Sequence, residues 1–382
     1  MTFAARAREI AELAAAHATA GEQAGQLVPE VVSAISQAGL FRMMVPAAIG
    51  GGEASPVDMI ETIDALAQGD GAAGWILMIG ATTGASSVQL PFEGAREVFG
   101  DPAGLVVGAV VPKGTAKRVE GGFRLNGTWP FGSGTGHATW ITGGAAVVGP
   151  EGPEMVAEKV PHIRMMFVPR SDVRIKDTWH VSGLRGTGSN DFEVADVFVP
   201  EHHTYAMGVR SDWADGLTYR FPFFGLLAVG VAAVATGIAR AAITELKSLA
   251  AAKTPSGSRR LLAERAAAQS GIAEAEALLR SGRGFMFDTV RDVWERVQAG
   301  DRIGTEDKAM IRLAATTATL NSTHAVDICY NLGGASSIYS DNRLQRHFRD
   351  IHTVTQHVMV GQPTLEVAGR ILLGLPTDTS ML

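Results

Sequence analysis

Two glycine-rich stretches carry aromatic and hydroxyl side chains at spacings that could hold a flat ligand. In Trp129-Pro130-Phe131-Gly132-Ser133-Gly134, large rings, a hydroxyl and small residues stand together, so backbone can approach a ligand closely. The same composition suits a bulged strand of a β domain, and both readings stand at this point. Thr178-Trp179-His180 precedes Gly183-Leu184-Arg185-Gly186-Thr187-Gly188-Ser189, an aromatic followed by a loop dense in backbone N–H and hydroxyl donors. A nest of that sort can hold an anion or the edge of an aromatic heterocycle, though many are merely turns.

Other chemical motifs are weaker. Gly69-Asp70-Gly71-Ala72-Ala73-Gly74 matches the GxGxxG dinucleotide fingerprint, but a helical pattern precedes it where the fingerprint needs a strand. A nicotinamide site is therefore not expected, and electrons from NAD(P)H would have to arrive through another protein. No HExxH, paired CxxC or EF-hand string occurs, and the ten histidines lack metal-ligand spacing, so no metal is expected. His202-His203 follows Pro200 in a connection and is expected to face solvent. Cys329, the single cysteine, cannot form an internal disulfide; a buried thiol in a reduced, cytoplasmic setting fits.

The elements that must position these residues fall into three blocks. Up to about residue 111, apolar residues recur at helical spacing, with Met1 to His17 as a first amphipathic helix. Gly39 closes one helix; Ser55 caps another that runs to Gly69; a third starts near Asp70 and carries Trp75. From Leu105 the period becomes two, with runs at 105–111, 123–125, 140–148, 163–168 and 192–199, which predicts a compact antiparallel barrel or sandwich. Beyond residue 211 the pattern predicts a four-helix bundle over Phe223–Ala252, Arg259–Ala299, Thr305–Asn331 and Arg349–Leu373. The expected division is 1–111, 112–210 and 211–382.

With 382 residues, 46% of them apolar, the chain can bury a large core. Net charge is −6 and the Lys and Arg residues are scattered, which argues against nucleic-acid binding. The N-terminus lacks the unbroken apolar core of a secretory signal. Phe223–Ala239 approaches the length of a membrane span, yet it is rich in Gly and Ala and reads as a helix buried on all sides.

The order of helical domain, small β domain and four-helix bundle resembles the acyl-CoA dehydrogenase superfamily over nearly the whole chain. Supporting strings are Gly39-Leu40-Phe41-Arg42 through Val45-Pro46 and Gly50-Gly51-Gly52, then Gly127-Thr128-Trp129-Pro130-Phe131, Leu184-Arg185-Gly186-Thr187-Gly188-Ser189 and Phe348-Arg349-Asp350. The resemblance implies a mainly α fold with a central β-barrel domain, a bound flavin and a homotetramer. Dehydrogenases of this kind need a carboxylate to take the α-proton. In many it follows the Arg-Asp pair by about two helical turns, but here the window reads Asp350-Ile351-His352-Thr353-Val354-Thr355-Gln356-His357-Val358, with no acid after Asp350. Others keep a Glu near the start of the first bundle helix; Tyr219 to Ala242 contains neither Asp nor Glu.

What stands there instead is similar to the oxygenase components of two-component flavin monooxygenases. In those a separate NAD(P)H:flavin reductase supplies FADH2 or FMNH2, O2 adds at flavin C4a, and the hydroperoxide delivers oxygen to a small organic substrate. The resemblance places His357 near flavin and substrate, stabilising the hydroperoxide or helping to deprotonate the substrate. Otherwise this histidine is a core residue facing Thr353 and Val354. Ser133 matches the hydroxyl that meets flavin N5, and Phe131 the aromatic beside the ring. Trp179, Thr187 and Ser189 join them as flavin contacts, Arg259 or Arg260 is implied at the flavin phosphate, and Trp75 is a candidate wall of the substrate pocket. Gly71 to Leu90 lacks the histidine common in relatives acting on phenols, leaving indoles, steroids, amines and sulfur heterocycles. Two rival readings remain: a dehydrogenase with a relocated base, and a non-catalytic flavin-binding relative.

Overall fold

The computed structural model describes residues 1–149, 151–209 and 211–382. Its helices are α1 (Phe3–Ala24), α2 (Pro29–Gln37), α3 (Pro56–Ala67), α4 (Gly71–Ala85), α5 (Phe92–Phe99), α6 (Phe223–Ala252), α7 (Ala266–Ala299), α8 (Thr305–Gly333), α9 (Arg343–Val354) and α10 (Pro363–Leu372). Capping chemistry sets the early boundaries. Ser55 and Asp58 form a reciprocal capping box at the start of α3, with Pro56 in the first turn. Asp70 accepts N–H bonds from Ala72 and Ala73 at the start of α4.

That junction explains the GxGxxG string. Helix α3 precedes it, and the glycines serve close packing: a Cβ on Gly69 would lie 2.1 Å from the Ala11 carbonyl oxygen, and one on Gly74 would lie 2.6 Å from the Ala67 Cβ. Helix α6 is long and apolar enough to cross a membrane, but most of its surface is buried by the surrounding helices, so it is the central core helix of the fold. Cys329 is buried in α8, and burial pushes its thiol up to about 12.

Between the helical blocks lie β1 (Val106–Val119), β2 (Gly122–Gly132), β3 (Trp140–Gly149), β4 (Gly152–Pro153), β5 (Met155–Ala157), β6 (Val160–Pro161), β7 (Ile163–Pro169), β8 (Arg174–Lys176), β9 (Asn190–Pro200) and β10 (Thr204–Ala206). The main sheet runs β10-β7-β3-β1-β2-β9-β8, with β4 paired to β3; β5 and β6 form a separate ribbon. The sheet is mixed rather than wholly antiparallel, because β3 runs parallel to β1 in register Val106↔Trp140. The hairpin of β1 and β2 returns the chain to the end where β1 began, and the connection through 133–139 then starts β3 on the opposite side of β1. The end of the central block expected at residue 210 lies outside the described residues.

Two bundle boundaries also differ from expectation. Arg259 does not start a helix: it is exposed in the irregular segment 253–265, where Pro255 and Gly257 break the pattern, and α7 begins only at Ala266. The expected helix Arg349–Leu373 is two helices. Helix α9 ends at Val354, and Pro363, in the first turn of α10, restarts helix after a turn that contains His357. His357 is thus on a turn, with its backbone N–H bonded to the Val354 carbonyl.

Candidate active site

The Trp129–Gly134 segment divides its labour. Trp129 is fully buried, stacks on Phe192 at 5.2 Å and donates its indole N–H to the Gly144 carbonyl at 2.8 Å. It is core, which removes it as a ligand contact. The pairing of β2 with β9 shifts register between Trp129 and Gly132, and Phe131 sits in that bulge with φ +62°. A left-handed aromatic residue is a strained choice, and strain of that kind concentrates at ligand sites. The bulge leaves Phe131 69% exposed, edge-on to Trp179 at 6.3 Å, and turns the next hydroxyl, Ser133, inward. The bulged-strand reading of this segment holds, and the bulge re-aims its side chains.

Ser133 lies at the centre of a buried hydroxyl chain. Trp75 Nε1 donates to Ser133 Oγ at 3.1 Å, Ser133 Oγ lies 2.7 Å from Ser189 Oγ, and Ser189 Oγ lies 2.6 Å from Thr187 Oγ1. Thr187 Oγ1 in turn donates to the Leu184 carbonyl at 2.8 Å. The backbone joins the two motifs as well, since Gly134 N–H donates to the Thr187 carbonyl at 3.0 Å. The two glycine-rich stretches are therefore one site.

On its other face Trp75 meets His357, with ring centroids 5.5 Å apart and planes at 72°. His357 Nδ1 accepts the Met359 N–H at 3.3 Å, which assigns the ring proton to Nε2. Burial, followed by the nearby Arg312 guanidinium, pushes this histidine down to about 4. At neutral pH it is thus an uncharged imidazole that donates through Nε2. The sequence did not draw attention to Arg312, which is buried in α8 and donates to the Met359, Val358 and Met381 carbonyls and to Thr364 Oγ1. Its signal was an arginine in the apolar run Ala309-Met310-Ile311-Arg312-Leu313-Ala314. It holds the turn that presents His357.

A charged network stands behind the 183–189 loop. Asp350 Oδ1 accepts the Leu184 N–H at 2.6 Å, and Arg349 donates to the Ser182 carbonyl. A Cβ on Gly183 would lie 2.1 Å from the Arg349 carbonyl oxygen, so only glycine lets loop and helix approach this closely. Glu22 pairs with both Arg346 and Arg349; burial alone would raise its pKa, but the two guanidiniums hold it below the usual carboxylate range. Burial, with neighbouring carboxylates adding to it, pushes Asp70 up to about 6 and Asp350 up to about 7. Asp350, the acid of the window where dehydrogenases keep their base, is committed to the loop backbone.

The residues fit a flavin. An aromatic wall of exposed Phe131 and half-buried Trp179, a hydroxyl chain ending at Ser133 and a loop with Leu184 and Gly188 in left-handed conformation supply flat contact and backbone polarity together. The histidine pair after Pro200 departs from expectation. His203 is buried against Trp140, and both imidazoles reach Glu97, at 2.6 Å from His203 and 3.4 Å from His202. These three groups have the donor atoms of a metal site, but they already contact one another in a polar cluster joining α5 to the strand connection. Burial lowers the pKa of His203 and the Glu97 contact raises it again; the net direction is down.

Comparisons with known proteins match the sequence and the fold. The acyl-CoA dehydrogenase N-terminal domain model matches residues 2–90, and the C-terminal domain model matches residues 229–362. An indole-3-acetate monooxygenase of Pseudomonas putida is 34% identical, over 90% of this chain and 87% of its own length. The flavin-dependent monooxygenase oxygenase subunit HsaA of Mycobacterium tuberculosis is 28% identical, over 96% of this chain and 93% of its own. Among solved structures, XiaF from a Streptomyces species, in complex with FADH2 and glycerol, superposes with a TM-score of 0.91 at 26% identity, covering 98% of this chain and 95% of that one. The chain belongs to the acyl-CoA dehydrogenase family, in its branch of flavin-dependent monooxygenases that act as oxygenase components.

Proposed function

We propose that this oxygenase hydroxylates a compact, electron-rich heteroaromatic ring of the indole type, held against the joined face of Trp75 and His357. The observation that carries the reading is Trp75 itself, which touches His357 with one part of its ring system and Ser133 with its N–H. A flat substrate against these aromatics would lie next to the hydroxyl assigned to the flavin. The 34% identity to an indole-3-acetate monooxygenase supports that substrate class. Reduced flavin, FADH2 or FMNH2 delivered by a separate NAD(P)H:flavin reductase, supplies with O2 an electrophilic oxygen. The chain's residues have the remaining tasks. Phe131 and Trp179 flank the flavin ring, Ser133 meets its polar edge with Thr187 and Ser189 behind it, and His357 donates a hydrogen bond through Nε2 to an oxygen in the pocket. His357 does not take a proton, because its Nδ1 lone pair is occupied by Met359 N–H.

The same reading places the protein in the cytoplasm as a homotetramer. Ile338 and Tyr339 beyond α8, and Leu372, Leu373 and Leu375 at the end of α10, are exposed apolar side chains of the kind that self-association covers. In such an assembly the exposed Arg259 would be free to reach the flavin phosphate of a neighbouring subunit. Light scattering at micromolar concentration should give four times the chain mass; a monomer would rule the assembly out.

The deciding experiment supplies reduced FMN or FAD, 18O2 and indole or indole-3-acetate. One 18O atom in the product supports the reading. Failure to incorporate oxygen, together with anaerobic reduction of bound FAD by an acyl-CoA thioester, would overturn it in favour of a dehydrogenase.

A further inference from the structure

We propose that Ser189 and Thr187 are positioning residues that lock the Ser133 hydroxyl as a hydrogen-bond acceptor toward bound flavin, and that this lock is the source of discrimination between reduced and oxidised flavin in this chain. The inference rests on the reading that Ser133 meets flavin N5. What it adds is the direction of every proton in the chain and its consequence for the redox state that binds.

A hydroxyl has one proton and two lone pairs, an indole N–H only donates, and a carbonyl only accepts. The chain Trp75, Ser133, Ser189, Thr187, Leu184 begins with such a donor and ends with such an acceptor. The Thr187 proton points at the Leu184 carbonyl, 2.8 Å away. Ser189, 2.6 Å from Thr187, must then be the donor to it, and Ser133, 2.7 Å from Ser189, must be the donor to Ser189. One lone pair of Ser133 takes the Trp75 N–H. One lone pair and no proton remain for a ligand. The reverse direction would leave the Thr187 and Leu184 oxygens facing each other at 2.8 Å with no proton between them. Ser133, Thr187 and Ser189 are all at least 95% buried, so bulk water is not at hand to relieve that repulsion.

Reduced flavin carries a hydrogen on N5 and oxidised flavin carries a lone pair there. An oxygen with only a lone pair to offer bonds the first and repels the second. The lock therefore suits a protein that must capture reduced flavin from a reductase and release it once oxidised.

The test titrates the protein anaerobically with reduced FMN and FAD, and aerobically with the oxidised forms. The wild type should bind reduced flavin roughly tenfold or more tightly, the scale of a hydrogen bond exchanged for an unsatisfied contact. Ser189→Ala frees the Ser133 proton to rotate toward oxidised N5, and the ratio should fall toward one. Thr187→Val should lower it less, and Thr187→Ser, which keeps the hydroxyl, should restore it. Spectroelectrochemistry gives an independent reading, since a tenfold ratio is about 30 mV in a two-electron midpoint potential. If Ser189→Ala unfolds early, the Thr187→Val and Thr187→Ser pair reads the same lock. A wild-type ratio at or below one, or a ratio untouched by substitutions that leave the melting temperature unchanged, overturns the lock while the flavin reading stands. Failure to bind flavin in either state overturns both.

Discussion

Two buried polar networks meet at the 183–189 loop, and they are built from opposite materials. On the pocket side, Trp75, Ser133, Ser189 and Thr187 form a neutral chain, with an uncharged His357 beside it. On the far side stand Glu22, Arg346, Arg349, Asp70 and Asp350, a cluster of charges and perturbed carboxyls. A neutral face draws little water toward a reactive oxygen, which matters where water would divert it to H2O2. The charged cluster grips the loop from behind, where its fields are partly neutralised by pairing. Chemistry and placement are thus assigned to separate networks sharing one loop.

Substitutions can break this division, and the largest effect is expected at Ser133. Ser133→Ala removes the hydroxyl proposed to meet flavin N5 and should cut the product formed per reduced flavin by about tenfold or more, the worth of a buried hydrogen bond. The balance should appear as H2O2, with the melting temperature little changed. Unaltered coupling would mean that the neutral chain is only packing. His357 comes next. His357→Ala should lower turnover by roughly tenfold, whereas His357→Gln, which keeps an N–H donor, should retain most of it. Equal loss in both variants would argue for a base instead. Because burial and Arg312 hold this ring neutral down to about pH 4, the rate should show no histidine inflection between pH 6 and 8.

The charged side should respond in stability. Asp350 is raised from 3.8 to about 7, so the folded chain binds more protons than the unfolded one across that window. Its contribution to stability is greatest at the acid end and is lost as pH rises through 7. The lowered histidines His347 and His357 act in the opposite sense, contributing stability that is lost as pH falls below 6.5. The wild-type profile mixes the two, so the useful quantity is the difference from Asp350→Asn, whose amide oxygen still accepts the Leu184 N–H. Denaturant titrations should find this variant gaining on the wild type steadily from pH 4 to pH 7, with oxygenase coupling nearly unchanged. A pH-independent difference would mean that Asp350 is ionised throughout.

Much of this arrangement was legible in the sequence, and what was hidden was hidden for identifiable reasons. Local signals placed α3 and α4 well, because Ser55, Pro56 and Asp70 are capping residues whose effect needs only near neighbours. The two glycine-rich motifs were visible as donors, but their union through Ser133 and Ser189 is a contact across 56 residues that no periodicity encodes. The parallel pairing of β1 with β3 is equally nonlocal. The break before α10 had a local signal, Gly361 and Pro363, which the apolar pattern on either side concealed. His203 was expected in solvent because nothing near it in sequence announces Trp140 or Glu97.

The smallest expected effect tests whether Trp75 belongs to the neutral chain or only borders it. Trp75→Phe keeps an aromatic face toward His357 but deletes the N–H that occupies one lone pair of Ser133. Ser189 still accepts the Ser133 proton, so the lock persists and only the aim of the hydroxyl relaxes. Coupling should therefore fall by about two- to fivefold, within the range of one neutral hydrogen bond, and well short of the loss at Ser133. H2O2 release per reduced flavin, measured with and without substrate, separates the roles. A leak that rises in both conditions places the indole N–H in the flavin network. A leak that rises only with substrate present makes Trp75 a pocket wall, and moves the boundary of the neutral network back to Ser133.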